Sequence, residues 1–148
     1  MPFIRSISGL RATLGNYLNP ETVAKYSAAL NKILPEGYIV IGRDGRPSGE
    51  WIEQIIAGTL AASGREVRLL GVVPTPTVQL YAERGKAVGG ISITASHNTK
   101  EWNGMKFINK DGVFFGMREN SELWDAAEFA DMDAGETLYV EEQVEFEA

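Results

Sequence analysis

The sequence predicts an α/β domain with a largely parallel or mixed sheet covered by helices on both faces. Two observations carry that expectation: helical segments, two of them with apolar residues at helical spacing, alternate along the chain with short apolar runs of strand length. Asn19-Pro20-Glu21 has the form of an N-cap, a proline at the first helical position and an acid in the first turn. Val23, Tyr26, Leu30, Ile33 and Leu34 then follow on one helical face. Tyr38-Ile39-Val40-Ile41 predicts a strand, and Ser48 is placed to cap a second helix that buries Ile52, Ile55, Ile56 and Leu60 and stops at Gly64. Residues 67–73 predict a strand, Thr75-Pro76 opens a helix to about Gly85, and 88–94 predict another strand. Met105–Asn109 and Val113–Phe115 predict a hairpin about Lys110-Asp111-Gly112, and 118–130 a last helix.

The length of 148 residues suits one domain with a proper core. With no cysteine, disulfides and thiolate metal sites are excluded. No apolar run could span a bilayer and no secretion signal opens the chain, so no membrane partner is expected and the cytoplasm is the default location. The net charge of −6 is concentrated in residues 131–148, which hold seven acids and no lysine or arginine. Residues 1–130 are left with 14 bases against 13 acids, and no basic stripe with interleaved aromatics supports nucleic-acid binding. Leu138, Val140, Val144 and Phe146 alternate with polar residues in that acidic stretch. The expectation is a domain over residues 1–136, with 137–148 a linker or the start of a further domain.

Ligands of parallel sheets gather beyond the carboxyl ends of the strands. Four polar segments fall there or close by: Ser8-Gly9-Leu10-Arg11, Gly42-Arg43-Asp44-Gly45-Arg46, Pro74-Thr75-Pro76-Thr77 and Thr94-Ala95-Ser96-His97-Asn98. Convergence of Arg11, Lys106 and Lys100 on Ser96 would make a cationic mouth holding one hydroxyl, which suits a phosphate better than an ester or a peptide. A hydrolase triad is disfavoured, because His97 is the only histidine, directly follows Ser96, and no G-x-S-x-G elbow is present. A serine that carries a phosphoryl group needs cations and a proton donor instead. Lys106 has the flexible stem of a proton shuttle, Arg11 the permanent charge of a phosphoryl clamp, and His97 could bond the phosphate or orient Ser96.

Thr94-Ala95-Ser96-His97-Asn98 followed by Asn103-Gly104-Met105-Lys106 closely resembles the phosphoserine signature of the α-D-phosphohexomutases, the phosphoglucomutase/phosphomannomutase family. The three other segments match that family in the same order. The resemblance implies the first of four domains, a three-layer α/β/α sandwich with a mixed, mostly parallel sheet. It implies that Ser96 carries the phosphoryl group exchanged with a hexose 1- or 6-phosphate through a hexose 1,6-bisphosphate. Lys106, Arg11 and His97 would assist, and Ser8, Asn98, Lys100 and Asn103 would bind substrate or its phosphate. The implied Mg²⁺ would be held by an oxygen of phospho-Ser96 and by aspartates of a second domain, and sugar selection would belong to domains three and four. Those missing domains would be the partners of this one, with a phosphosugar as substrate, and the chain by itself would be inactive.

Three departures from the family pattern stand out: Thr99 in place of proline, Ala12 in place of glycine, and no F-G-T lead-in. None removes a reacting group. A lone loop serine is ordinarily just solvated, Lys106 and Arg11 could be surface charges, and Arg43, Asp44 and Arg46 fit the bracing of a loop through ion pairs. Trp51, Trp102 and Trp124 read as packing residues, with Trp102 near enough to wall the site. The rival to the mutase is a non-catalytic phosphate-binding or interaction module of the same fold, and a hydrolytic phosphatase is a weaker one.

Overall fold

The computed structural model describes residues 3–6 and 9–132. Ser8 and the segment 137–148 lie outside the described residues. Among the described residues six strands form one sheet: β1 (Phe3–Ser6), β2 (Gly9–Thr13), β3 (Ile39–Arg43), β4 (Val67–Val72), β5 (Gly89–Ile93) and β6 (Trp102–Asn109). Four helices of the described residues accompany them: α1 (Pro20–Ile33), α2 (Gly49–Ala62), α3 (Thr75–Arg84) and α4 (Met117–Met132). The sheet order is β1-β2-β6-β5-β3-β4. β3 pairs in parallel with both β4 and β5, while β6 runs antiparallel between β5 and β2, and β1 antiparallel to β2. Four strands therefore point one way and two the other. The sheet is mixed, as expected.

The central strands read as continuous apolar runs because helices cover them on both sides. All of Gly89–Ile93 is buried, as are the first four residues of Ile39–Arg43. On one face α1, α2 and α4 close the larger core, where Ile41, Ile91, Ile93, Met105 and Phe107 meet Leu30, Ile52, Ile56 and Leu123. Trp124 of α4 packs edge-on to Tyr26 at 5.8 Å and to Phe107 at 6.3 Å, a geometry that favours aromatic pairs. On the other face stands α3, over Val40 and Ile108 through Val78 and Ala82. That face of β1, β2 and half of β6 carries no helix among the described residues.

Helix α1 starts as its sequence indicates: the Asn19 side chain accepts from the Thr22 amide at 2.9 Å ahead of Pro20. Its end is held from outside. Arg65, just past α2, donates to the carbonyls of Asn31, Leu34, Pro35 and Gly37 and to the Asn31 side chain. The carbonyls of Asn31 and Leu34 would otherwise be orphans of the helix terminus.

Two expectations differ from the structure. Ser48 precedes α2 but makes no capping bond; its hydroxyl instead accepts from the Asn103 amide at 2.8 Å. Gly9-Leu10-Arg11 is not loop but the start of β2, with Leu10 and Ala12 facing the core and Arg11 and Thr13 the other side. The turn at 110–112 does fold the chain back on β6, though only as a single bridge between Ile108 and Phe114. Asn109 holds that turn by accepting from the amides of Asp111 and Val113 through its side chain.

Candidate active site

Alternation along β2 and β6 decides where the cations point. Leu10 pairs with Met105, and both are core residues. Arg11 and Lys106, one step along their strands, therefore project from the opposite face, the half of the sheet that α3 leaves bare. Arg11 lies across from Gly104. Gly9 abuts Lys106 in the same way: a Cβ built there would lie 3.0 Å from the Lys106 Cα and overlap the Met105 carbonyl. Each cation thus stands across from a glycine, and β2 and β6 approach closely at just this point.

β5 brings the third component. Its last residue, Ile93, accepts from the Asp44 amide at 3.0 Å, so the loops after β3 and β5 are joined at their bases. Beyond it the chain makes a turn closed by the Asn98 amide on the Ala95 carbonyl at 3.1 Å. Ser96 is the first inner residue of that turn and has φ +54°, a left-handed conformation that disfavours any residue with a Cβ. Ser96 is exposed at the rim of a small open pocket lined by Ser6, Gly9, Leu10, Arg11, Thr94, Ala95, Ser96 and Lys106. Two cationic and three hydroxyl-bearing residues line this pocket, and no carboxylate lines it among the described residues. A phosphate dianion would meet complementary charge and donors there.

The loop is held by neighbours that do not line the pocket. Arg46 donates to the carbonyls of Ser96 (3.0 Å), Asn98 (2.7 Å), Thr99 (2.7 Å) and Trp102 (3.1 Å), and its Nε to Asp44 at 3.1 Å. Asp44 also accepts from the Thr94 hydroxyl at 2.8 Å, and that hydroxyl accepts from the Ser96 amide at 3.0 Å. The bracing read from the sequence for Asp44 and Arg46 is present. Arg43 braces elsewhere, with its Nε 3.6 Å from a Glu53 oxygen.

The remaining candidates divide. Asn98 reaches the site by accepting from Arg11 Nη1 at 3.0 Å through its side chain, so it orients that guanidinium. Lys106 rests its ammonium over the Phe114 ring at 5.5 Å. His97 and Lys100 are exposed on the loop, and no hydrogen bond to another described residue holds either side chain. Asn103 is not brought to the pocket: it is 0% exposed, with its amide bonded to Ser48 and its oxygen to the Gly104 amide at 2.8 Å. The physical reason is register, since Asn103 shares its face with Met105, not with Lys106. Thr75 is likewise turned inward, its hydroxyl 2.8 Å from that of Ser92. Sequence reasoning missed the reach of Arg46, whose partners lie some fifty residues away.

A model of the phosphoglucomutase/phosphomannomutase α/β/α domain I matches residues 4–132. The chain belongs to this family. A probable phosphoglucosamine mutase of Methanocella arvoryzae is 41% identical over 116 residues, covering 78% of this chain and 26% of that protein. A phosphoglucosamine/phosphogalactosamine mutase of Sulfurisphaera tokodaii is 36% identical over 118 residues, covering 79% and 26%. Among solved structures, a Thermus thermophilus protein described as a candidate phosphomannomutase superposes with a TM-score of 0.80 at 27% identity, over 86% of this chain and 30% of that one. This domain I chain spans about a quarter of the length of the curated relatives it matches. No helix among its described residues is long and apolar enough to cross a membrane.

Behind the loops, the Arg43–Glu53 pair yields a pH prediction for domain I. Neither Arg43 Nε nor Glu53 Oε2 has a hydrogen-bond partner among the described residues. Burial lifts the Glu53 carboxyl above its ordinary 4.5, against the pull of Arg43 and with the help of Glu50. The folded state thus binds this proton more tightly than the unfolded one, and its stabilising effect grows as pH falls from the raised value and is complete below 4.5. Wild type should therefore gain stability relative to Glu53→Gln between neutral pH and about 4.5 in urea titrations. A constant difference across that range would show a carboxyl no drier than in the unfolded chain.

Proposed function

We propose that this domain I supplies the phosphoryl-carrying serine of a phosphohexomutase, an enzyme that interconverts hexose 1- and 6-phosphates through a hexose 1,6-bisphosphate. The observation that carries the reading is Ser96 itself, held in a left-handed turn at the mouth of a pocket with Arg11 and Lys106 and no lining carboxylate among the described residues. In the step proposed, the bond between phosphorus and Ser96 Oγ breaks as one forms to a sugar hydroxyl. Lys106 gives a proton to the departing Oγ and recovers one from the attacking hydroxyl. Arg11, steadied by Asn98, neutralises charge on the phosphoryl oxygens during transfer.

No group of three His, Cys, Asp or Glu side chains converges among the described residues, so they do not by themselves form a cage for Mg²⁺. The reading assigns to Ser96's phosphate one oxygen toward that ion, with the other ligands supplied by further domains of the parent enzyme. Mg²⁺ would supply neutralisation of phosphoryl charge when bound. Sugar recognition is assigned to those further domains, in a cytoplasmic enzyme. Glucosamine phosphates stand first among substrates to test, because the curated relatives above are named for them.

The test is peptide-resolved mass spectrometry of the protein from its native source and after exposure to a hexose 1,6-bisphosphate. One phosphate on Ser96, retained in water, is the expected result. An unmodified Ser96 in both samples would sink the reading and leave a phosphate-binding module, and rapid loss of the phosphate to water would point to a phosphatase. The chain alone should show no mutase turnover; turnover without further domains would contradict the division of labour.

A further inference from the structure

Arg46 lies outside the pocket, and nothing in phosphoryl transfer requires a cation where it stands. Its guanidinium offers five N–H donors, and all five are used: one on Asp44 and four on carbonyls of the segment from Ser96 to Trp102. We infer that Arg46, with Asp44, is a positioning residue that grips the backbone of Ser96 from both sides and sets the direction in which its oxygen faces Arg11 and Lys106. The inference rests on the reading of Ser96 as the phosphate-carrying residue.

The grip has two arms. On the carbonyl side, Arg46 Nη2 bonds the Ser96 oxygen directly at 3.0 Å. On the amide side, the Ser96 N–H is taken by Thr94, whose hydroxyl is fixed by the same Asp44 that holds Arg46 Nε. A single ion pair on the connection between β3 and α2 therefore fastens both peptide groups of one residue. Ser96 needs such fastening, because a left-handed φ of +54° is disfavoured for serine and would relax if the peptides were free. Relaxation would swing the seryl oxygen away from the cations on the sheet. The planar fork of arginine suits the task, since lysine offers a point charge that cannot span four carbonyls.

The experiment compares wild type, Arg46→Lys and Thr94→Val in the 148-residue chain. Residue-resolved amide exchange is measured alongside titration with inorganic phosphate, followed through the Gly104 and Lys106 amide signals. In Arg46→Lys the Ser96 amide should exchange about tenfold faster, with phosphate binding about tenfold weaker. Buried β5 amides such as those of Ile91 and Ile93 should keep their protection. Thr94→Val should speed Ser96 exchange through the other arm. Unchanged Ser96 exchange in both variants would overturn the inference, as would a uniform acceleration of all amides, which would make Arg46 a support of the whole fold. If Arg46→Lys fails to fold, Thr94→Val decides alone, because it deletes one hydroxyl and no charge. Failure of wild type to bind phosphate would count against the phosphoryl reading, while the exchange comparison still decides the grip.

Discussion

Replacing Ser96 with glycine is expected to abolish phosphoryl acceptance and, in the same step, to raise stability by about 0.5–1 kcal/mol. The chemical half of this follows from deleting the only hydroxyl at the tip of the loop. The energetic half follows from φ +54°, where a Cβ costs about 1–2 kcal/mol and glycine costs nothing. Part of the gain is returned because glycine is freer in the unfolded chain, by about 0.4–1 kcal/mol. Ser96→Ala is the control, since alanine removes the hydroxyl but keeps the Cβ, so it should lose acceptance without gaining stability. Urea denaturation of the two variants separates the terms. A glycine variant no more stable than the alanine one would show that the backbone at Ser96 carries no strain.

Gly104→Ala should lower stability by about 2–3 kcal/mol, the upper range for forcing extra volume into a packed region. A Cβ there would overlap the Leu10 carbonyl oxygen and lie 2.9 Å from the Arg11 Cβ. The atoms to be moved belong to the β2 backbone, not to a flexible side chain, so relief requires the two strands to part. Because Arg11 is directly across, the same change should weaken phosphate binding. Thermal unfolding and phosphate titration of the one variant measure both. A fall in stability with unaltered phosphate binding would show that Arg11 does not depend on this close approach.

The helices and the parallel strands were legible because their residues carry strong local periodicity: Val23, Tyr26 and Leu30 in α1, and Ile39 to Ile41 in β3. β2 was not, although Leu10 and Ala12 do alternate with Arg11 and Thr13. A five-residue strand opened by glycine resembles a loop until its partner is known, and that partner, β6, lies about ninety residues away. The candidate site was legible as far as composition and motif allow, in Ser96, Arg11 and Lys106. Asn103 and Ser48 were not, because each looks like an ordinary polar residue until folding buries them against each other. Arg46 was expected to brace its own loop. That it reaches across to the loop after β5 depends on β3 and β5 being neighbours in the sheet, which no local pattern reveals.

The three parts of the pocket belong to three consecutive strands: Arg11 to β2, Lys106 to β6, and the turn bearing Ser96 to the end of β5. Their lateral spacing is therefore set by the interstrand distance, about 4.7–4.9 Å per step. That length comes from peptide hydrogen bonding and is the same in every sheet. The strands serve as a ruler on which the groups that would handle a phosphate are marked off. Side chains elsewhere could be exchanged without rescaling it. Slippage of β6 by one residue would turn Lys106 toward α1 and α2 and bring Met105 or Phe107 out in its place. The pairing that builds the core is also the pairing that calibrates the pocket, and neither can be shifted while the other is kept.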